Sequence, residues 1–554
     1  MDLSGAQLLV RLLESQGIET VAGIPGGTAL PLYDALAESN RIRHVLARHE
    51  QGAGFIAQGM ARVTGQVQVC IGTSGPGATN LLTAIADARL DSVPLVCITG
   101  QVASGAIGTD AFQEVDTYGL SLPVTKHNYL VRDAADLPGV VTDAFRIAAS
   151  GRPGPVWIDI PKDVQTARVP VRCLPEPAVA DRVPPLDCDL LDEAARLIEL
   201  SDRPVFYLGG GVISSGAAAA VTAFAERIGI PAAMTLMGLG AMPADHPLAL
   251  GMLGMHGARF TNNIIREADL LIAVGARFDD RAIGHAARFC PEASVIHIDI
   301  DPSELDKIRT ATVGIVGDVK TVIEALGPRV TARRRGKWLL RVASLRETMP
   351  LLEPDGDDPA SPYGLIRAVA DCVGDDAVIV TDVGQHQMRV AQAYPFRRPR
   401  QWLTSGGLGT MGFGLPAAIG AALADPGRKV VCFSGDGSLL MNIQEMATAA
   451  EEGVDIKVVL MNNQSLGLVQ QQQELFYHRR VFAADFRKSP DFLTIARGFG
   501  WHAVDLDREL RPRAAIGEAI RRRGPVLIHC SVDAAQHVLP MVPPGAALTE
   551  MIGG

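Results

Sequence analysis

Along most of this 554-residue chain, apolar runs of strand length end abruptly in small or polar residues and give way to stretches with helical spacing. Near the N-terminus, 6–16 carries an amphipathic helical pattern with Asp2 close to its start. Residues 45–50 read as a strand with a polar end, 51–63 as the helix after it, and 67–73 and 94–99 as further short strands. A second series occupies 190–326, where strand 204–208 runs into Gly209-Gly210-Gly211, 270–274 ends in Gly275 and 295–300 ends in Asp301. In the third, 363–545, Val430-Val431-Cys432-Phe433 runs into Ser434-Gly435-Asp436-Gly437, and Val458-Val459-Leu460-Met461 runs into Asn462-Asn463. Between those two strands, 442–453 places Ile443, Met446 and Ala450 on one helical face.

Strands that alternate with helices predict an α/β fold of doubly wound parallel sheets, covered on both faces. Pro170, Pro175, Pro177, Pro184 and Pro185 crowd a stretch without periodicity, and 327–362 is irregular, charged and proline-containing. These two breaks divide the chain into three expected domains, 1–168, 186–328 and 362–545. The first and third echo each other: Ser74-Gly75-Pro76-Gly77 ends its strand as Ser434-Gly435-Asp436-Gly437 ends the later one. Pro76 stands where Asp436 stands, so the first copy cannot ligate a metal there.

Composition narrows the class. Hydrophobic residues make up 47% and charged residues 20%, enough for large cores and against disorder. A formal net charge of −10 argues against nucleic-acid binding, and Arg333-Arg334-Arg335 and Arg521-Arg522-Arg523 read as solvated helix ends. The eight cysteines include no Cys-x-x-Cys, and Cys70, Cys97 and Cys432 lie within apolar runs, as buried reduced thiols do. With no signal-peptide pattern and no apolar run of membrane-spanning length, a cytoplasmic location is expected.

In a parallel sheet, consecutive strand tips share one carboxyl edge, where α/β proteins bind ligands. Asp436 and Asn463 would then converge as hard oxygen ligands for a cation such as Mg²⁺. Gly435 and Gly437 would admit a phosphate close to the backbone. Taken alone, Gly-Asp-Gly is more often an ordinary turn and Asn-Asn a helix cap; together the two weigh against that. Glu50 lies amid small and apolar residues; it reads either as a helix-start carboxylate or as an acid whose pKa an apolar surround would raise. Arg277-Phe278-Asp279-Asp280-Arg281 is a charge-dense strand-end loop or a surface salt-bridge patch. His256 sits in a glycine- and methionine-rich stretch, 251–257, where a lone histidine is usually structural. With Gly209-Gly210-Gly211, Thr235-Leu236-Met237 and Asp299-Ile300-Asp301, these loops suggest a dinucleotide site, for which triple glycine alone is weak evidence. On its residues alone, Lys162 reads as exposed and Phe112 as a core ring.

The Asp436 and Asn463 pair resembles the signature of thiamine diphosphate (ThDP) enzymes. Over nearly its full length the chain resembles the catalytic large subunits of acetohydroxyacid synthases, also called acetolactate synthases. The matching stretches are Gly23-Ile24-Pro25-Gly26-Gly27, Arg48-His49-Glu50-Gln51, 107–114, 251–257, 277–281, Asp382-Val383-Gly384-Gln385-His386 and 406–414. Residues 466–473 and 540–545 resemble the bacterial isozyme I type. This resemblance implies a pyrimidine-binding, a central FAD-binding and a diphosphate-binding domain, in that order. It also implies at least a homodimer, or a dimer of dimers, with active sites between chains, and a small regulatory subunit.

The implied reaction decarboxylates pyruvate on ThDP and ligates the hydroxyethyl group to a second pyruvate or to 2-oxobutanoate, opening branched-chain amino acid biosynthesis. By resemblance, Glu50 would meet the aminopyrimidine. Val383, Gly384, Gln385, His386, Gly409, Gly435, Gly437 and Ser438 would line ThDP, and Met411 would wedge it into a bent conformation. Asp436, Asn463 and the Ser465 carbonyl would hold Mg²⁺. Gly27, Phe112, Gln113 and Lys162 of the partner chain would shape the substrate entrance, and Arg281 would pair with the second substrate's carboxylate. Arg152, Gly209, Gly210, Gly211, Thr235, Leu236, Met237, His256, Gly275, Arg277, Asp280, Asp299, Ile300 and Asp318 would contact a largely structural FAD.

Two positions depart from the family pattern. Gln472 replaces a tryptophan that favours the larger acceptor; one methylene is worth only about 1–3 kcal/mol in an apolar pocket, so weak acceptor preference is expected. Ala103 stands where most relatives have proline, which frees the backbone near the entrance. Pyruvate oxidase and a flavin-free catabolic acetolactate synthase are the nearest alternatives. The Arg281 loop argues against the first and the FAD-like loops against the second.

Overall fold

The computed structural model describes residues 2–553. Three six-stranded sheets account for the chain. The first contains β2 (Thr20–Gly23), β3 (Arg43–Leu46), β4 (Gln68–Gly72), β5 (Leu95–Gln101), β6 (His127–Leu130) and β7 (Pro155–Pro161). A small antiparallel pair, β1 (Asp2–Ser4) with β8 (Arg168–Pro170), closes it off. The second sheet contains β9 (Pro204–Leu208), β10 (Ala232–Met234), β11 (Ala249–Met252), β12 (Leu270–Val274), β13 (Ser294–Asp299) and β14 (Val313–Val316). The third contains β15 (Val378–Thr381), β16 (Trp402–Leu403), β17 (Val430–Gly435), β18 (Ile456–Asn462), β19 (His502–Asp505) and β20 (Val526–Ser531).

Every pairing within the three large sheets is parallel. The first runs β3-β2-β4-β5-β7-β6 and the third β16-β15-β17-β18-β20-β19, the same topology twice. The local echo between 74–77 and 434–437 is therefore an echo of position, since β4 and β17 are both the third strand of their sheet. The middle sheet runs β11-β10-β9-β12-β13-β14, whose order reverses between β9 and β12. Such a reversal leaves a crevice at the strands' carboxyl ends.

The first and third sheets join through two helices, Glu50–Thr64 and Gly414–Ala424, which cross at glycines. A Cβ on Gly59 would lie 2.1 Å from the Ala417 carbonyl oxygen, and one on Gly420 2.0 Å from that of Ile56. Only glycine permits so close an approach of two helix backbones. Phe55 stacks edge-on against Phe413 at 5.4 Å beside this crossing, and one core cluster continues from Cys70 and Leu81 to Cys432 and Leu460.

Several local expectations need correction. The strand expected at 45–50 ends at Leu46, and Glu50 opens the following helix, because His49 caps it by accepting a hydrogen bond from the Gln51 amide. The helix expected at 442–453 is shorter, Glu445–Glu452, and follows the short helix Asp436–Leu439 through a tight turn. The 327–362 region holds the helix Gly336–Thr348, which buries Trp338, Val342 and Leu345. Arg335 is not a solvated helix end: it is buried and donates to the carbonyls of Ile198, Ser201 and Ile228, satisfying the exposed ends of two helices.

Candidate active site

β17 and β18 are neighbours in register, Gly435 opposite Met461, so the residues just past them meet at the sheet's carboxyl edge. Asp436 opens a short helix there and is almost fully buried, yet neither carboxylate oxygen has a hydrogen-bond partner. Burial pushes its pKa up to about 6, opposed by backbone amides of Asp436, Gly437, Asn463 and Gln464 that face the carboxylate without reaching hydrogen-bond geometry. An orphaned buried carboxylate is costly unless a cation completes it. Asn463 holds its amide oxygen against the Ser465 N–H at 3.2 Å, which places the Asn463 oxygen and the Ser465 backbone in the same turn. Two carboxylate oxygens, one amide oxygen and one backbone carbonyl make a hard-oxygen set that fits Mg²⁺.

A cavity opens in front of these residues, lined by Val383, Gly384, Gln385, His386, Gly409 and Met411, and by Gly435, Gly437, Ser438, Asn463 and Ser465. Ser438 donates to the Val383 carbonyl at 2.7 Å, tying the β17 turn to the β15 turn. His386 is buried, and desolvation pushes its pKa down to about 3, so the ring is neutral. Its Nε2 has no partner. A Cβ on Gly435 would sit 2.9 Å from His386 Nδ1, which explains that glycine locally. The loop bearing Gly409 and Met411 is pinned behind by Asp382, whose carboxylate accepts from the Gly412 amide at 2.8 Å and the Gly414 amide at 3.1 Å.

All residues lining this cavity lie beyond position 382, so Glu50 is not among them. Glu50 accepts from Asn80 Nδ2 at 2.9 Å, within the N-terminal domain of the same chain. Gly27 is exposed, with nothing within 4 Å of an added Cβ, so nothing inside the chain requires glycine there. Phe112 is not a core ring: it is 88% exposed, because Glu114 gathers the amides of Gly108, Thr109 and Ala111 and turns the loop outward. Gln113 adopts φ +61 beside Gly75, and Lys162 is exposed at the start of a one-turn helix. Gln472 is exposed one turn beyond Leu468, which lines the cavity.

The middle-domain residues lie along the carboxyl edge of the second sheet, on both sides of the β9/β12 crevice. A Cβ on Gly209 would strike the Gly275 carbonyl oxygen at 2.0 Å, and one on Gly211 the Gly275 Cα at 2.6 Å. These glycines therefore serve the contact between two strand-end turns, whatever else binds nearby. Gly210 faces Met237 in the turn after β10, where Thr235 accepts from the Gly238 amide and Leu236 begins the 3₁₀ turn. Asp299 ends β13, and burial raises its pKa to about 6. Ile300 follows it, and Asp318 caps the next helix through the Thr321 amide. Arg152 crosses from the first domain, pairing with Glu304 at 2.7 Å, and its pKa is lowered by burial and then by Arg277. In the charged loop, Asp279 caps the helix Asp280–Ile283, while Asp280 and Arg281 remain exposed 3.7 Å apart. The buried His256 faces the Pro540 carbonyl at 3.2 Å, and desolvation lowers its pKa to about 4. A crevice at a reversal of strand order, with backbone this close, fits a dinucleotide.

Models of the thiamine pyrophosphate enzyme family match 3–120 as the N-terminal TPP binding domain, 191–326 as the central domain and 382–530 as the C-terminal TPP binding domain. The chain is 62% identical over 550 residues to the acetolactate synthase isozyme 1 large subunit of Escherichia coli K12, across 99% of this chain and 98% of that protein. The chain belongs to the acetolactate synthase family of thiamine pyrophosphate enzymes. It is 46% identical to the isozyme 2 large subunit of the same bacterium, across 99% of both chains. It is also 46% identical to acetolactate synthase 1, chloroplastic, of Zea mays, across 99% of this chain and 88% of that protein.

Within this acetolactate synthase framework the cavity also takes in Arg389, Met461, Leu466, Gly467, Leu468, Val469 and Val532, which sequence reasoning missed. Arg389 was the most accessible of these, four residues after Gln385 and hence on the same helix face. Gln471, beside the departure at Gln472, is fully buried and links Gln385 to both the amide and the carbonyl of Val538. Nothing in the run of four glutamines distinguishes the buried one from its neighbours.

Proposed function

We propose that this chain is the catalytic subunit of an acetolactate synthase, joining the two-carbon unit of a decarboxylated pyruvate to a second pyruvate or to 2-oxobutanoate. The reading rests on the unpartnered Asp436 carboxylate beside Asn463 at the mouth of the cavity, in a chain of this family. Asp436, Asn463 and the Ser465 carbonyl would hold Mg²⁺, and the Val383–His386, Gly409, Met411 and 435–438 turns would hold ThDP. ThDP supplies the electron sink for decarboxylation and carbon–carbon bond formation. The chain's own residues supply orientation and charge. Glu50 would face the pyrimidine ring as a carboxyl able to give and take a proton, neutral His386 offers an uncharged wall, and the Arg281 fork would take the acceptor's carboxylate. The work divides among 1–168 for the pyrimidine, 186–328 for FAD and 362–545 for the diphosphate and metal.

A second copy of the chain completes the site. Glu50 lies outside the cavity of its own chain, and Phe112, Leu122 (61% exposed) and Leu30 (53% exposed) are exposed apolar side chains of the N-terminal domain. A homodimer brings Glu50, Gly27, Gln113 and Lys162 of one copy to the cavity of the other. Relatives named "large subunit" support a small regulatory partner. Among the described residues no helix is long and apolar enough to cross a membrane.

The decisive test is acetolactate formation from pyruvate with ThDP, Mg²⁺ and FAD omitted one at a time. ThDP and Mg²⁺ should each be indispensable, and turnover that survives without either sinks the reading. In a mixture of equal pyruvate and 2-oxobutanoate acceptors, the exposed amide at Gln472 should leave the two products in comparable amounts.

A further inference from the structure

The helix Pro76–Leu90 ends in a cluster of buried charge that the reaction, as derived above, does not use. Asp87 and Asp91 point out of the N-terminal domain into the third, where Arg62 reaches both, at 3.3 Å and 2.8 Å. The side chains of both aspartates are fully buried and that of Arg62 nearly so. A cluster of two carboxylates and one guanidinium carries net negative charge into a core where apolar packing would be at least as stable. Its contacts converge on a single short segment. Asp91 accepts from the Gly406 amide at 3.0 Å and the Gly407 amide at 2.7 Å. Asp87 accepts from the Ser405 hydroxyl and from Thr410 Oγ1 at 2.8 Å. Arg62 donates to the Thr404 carbonyl at 3.0 Å, and its guanidinium lies 5.0 Å from the Phe413 ring centre.

We propose that Asp87, Asp91 and Arg62 are positioning residues that set the 404–411 loop, and with it Gly409 and Met411, at the height the thiamine cofactor requires. The inference rests on the reading of the cavity as the ThDP site. The loop is gripped on both sides: Asp382 holds the Gly412 and Gly414 amides, and the aspartate pair holds 405–407 and 410. Of the residues left ungripped, Gly409 and Met411 line the cavity and Leu408 is exposed. The grip is close enough to exclude side chains, since a Cβ on Gly407 would meet Leu90 Cβ at 2.9 Å and one on Gly406 the Met237 sulfur at 2.3 Å. All three domains thus meet behind the loop. A carboxylate that takes two consecutive backbone amides fixes both position and tilt, which a single neutral bond does not.

The test uses the full-length protein with Mg²⁺. Thr410→Val and Asp91→Asn are compared with Thr410→Ser, which keeps the hydroxyl. ThDP affinity is measured by calorimetry, C2–H exchange of the bound cofactor by quenched NMR, and folding by thermal melting. Thr410→Val should weaken ThDP binding by about tenfold, the fold-change of one charge-assisted hydrogen bond, and slow C2–H exchange, with KM for pyruvate unchanged. Thr410→Ser should match the parent. Folded Thr410→Val and Asp91→Asn proteins with parental affinity and exchange would overturn the positioning role. Failure of the unsubstituted protein to bind ThDP would instead overturn the reading of the cavity, and this inference with it.

Discussion

At the scale of single residues, the site keeps charges where the fold alone would not choose them. Asp436 is ionisable, buried and unpartnered, so its neutral isostere should make the metal-free protein more stable. Asp436→Asn is therefore expected to raise the melting temperature in EDTA and to abolish the further rise that Mg²⁺ and ThDP give the parent. Asp159 offers a pH test away from the metal ligands. Burial raises its pKa to about 7, against hydrogen bonds from Thr99, Gln101 and Thr117 that favour the anion, with Asp116 adding to the rise. Because the folded pKa exceeds the unfolded one, its stabilising contribution is complete below about pH 4 and is lost as pH climbs through 7. Asp159→Asn should flatten that part of the melting-temperature profile between pH 4 and 7; an unchanged slope would remove Asp159 from the account.

At the scale of elements, the crossing of Glu50–Thr64 with Gly414–Ala424 makes a strict steric demand. Both helices pass with backbone against backbone at Gly59 and Gly420, so a methyl at either must push them apart. Overpacking of this kind costs about 1–3 kcal/mol where neighbours can yield, and carbonyl oxygens yield poorly. Gly59→Ala is expected to lower the melting temperature and, since Glu50 starts the same helix, to reduce activity even in protein that remains folded. Thermal melts alongside acetolactate assays check both parts. The Ala103 departure has a quieter reading. Its φ of −55° and ψ of 145° are a proline's own values, so the turn keeps its shape without the ring.

At the scale of the whole molecule, Glu50 and the cavity lined by residues beyond 382 lie apart within one chain. The first and third sheets have the same strand order, but only the third carries an aspartate, Asp436, just past its third strand; the first carries Pro76 there. If each cavity draws Glu50 from the other copy, mixing two inactive variants should restore function. Glu50→Gln and Asp436→Asn subunits, unfolded together and refolded, should regain about a quarter of parental activity, the share of intact sites under random pairing. No recovery in heterodimers verified by mass would mean that Glu50 acts within its own chain.

Much of this was legible in the sequence because it is local. Apolar runs with β-branched residues announced β9 and β12 to the residue, and strand-end glycine, aspartate and asparagine marked where the carboxyl edges lie, since turn chemistry depends on neighbours along the chain. What depends on distant segments was not legible. Nothing in the pattern around Phe112 says that its ring is left outside, around Arg335 that its guanidinium is enclosed by carbonyls, or around Asp87 and Asp91 that they reach a loop over 300 residues away. The same limit applies to the duplicated strand order and the glycine crossing. Hydrophobic periodicity records which face of an element avoids water; which element covers it is decided only when the sheets close on one another.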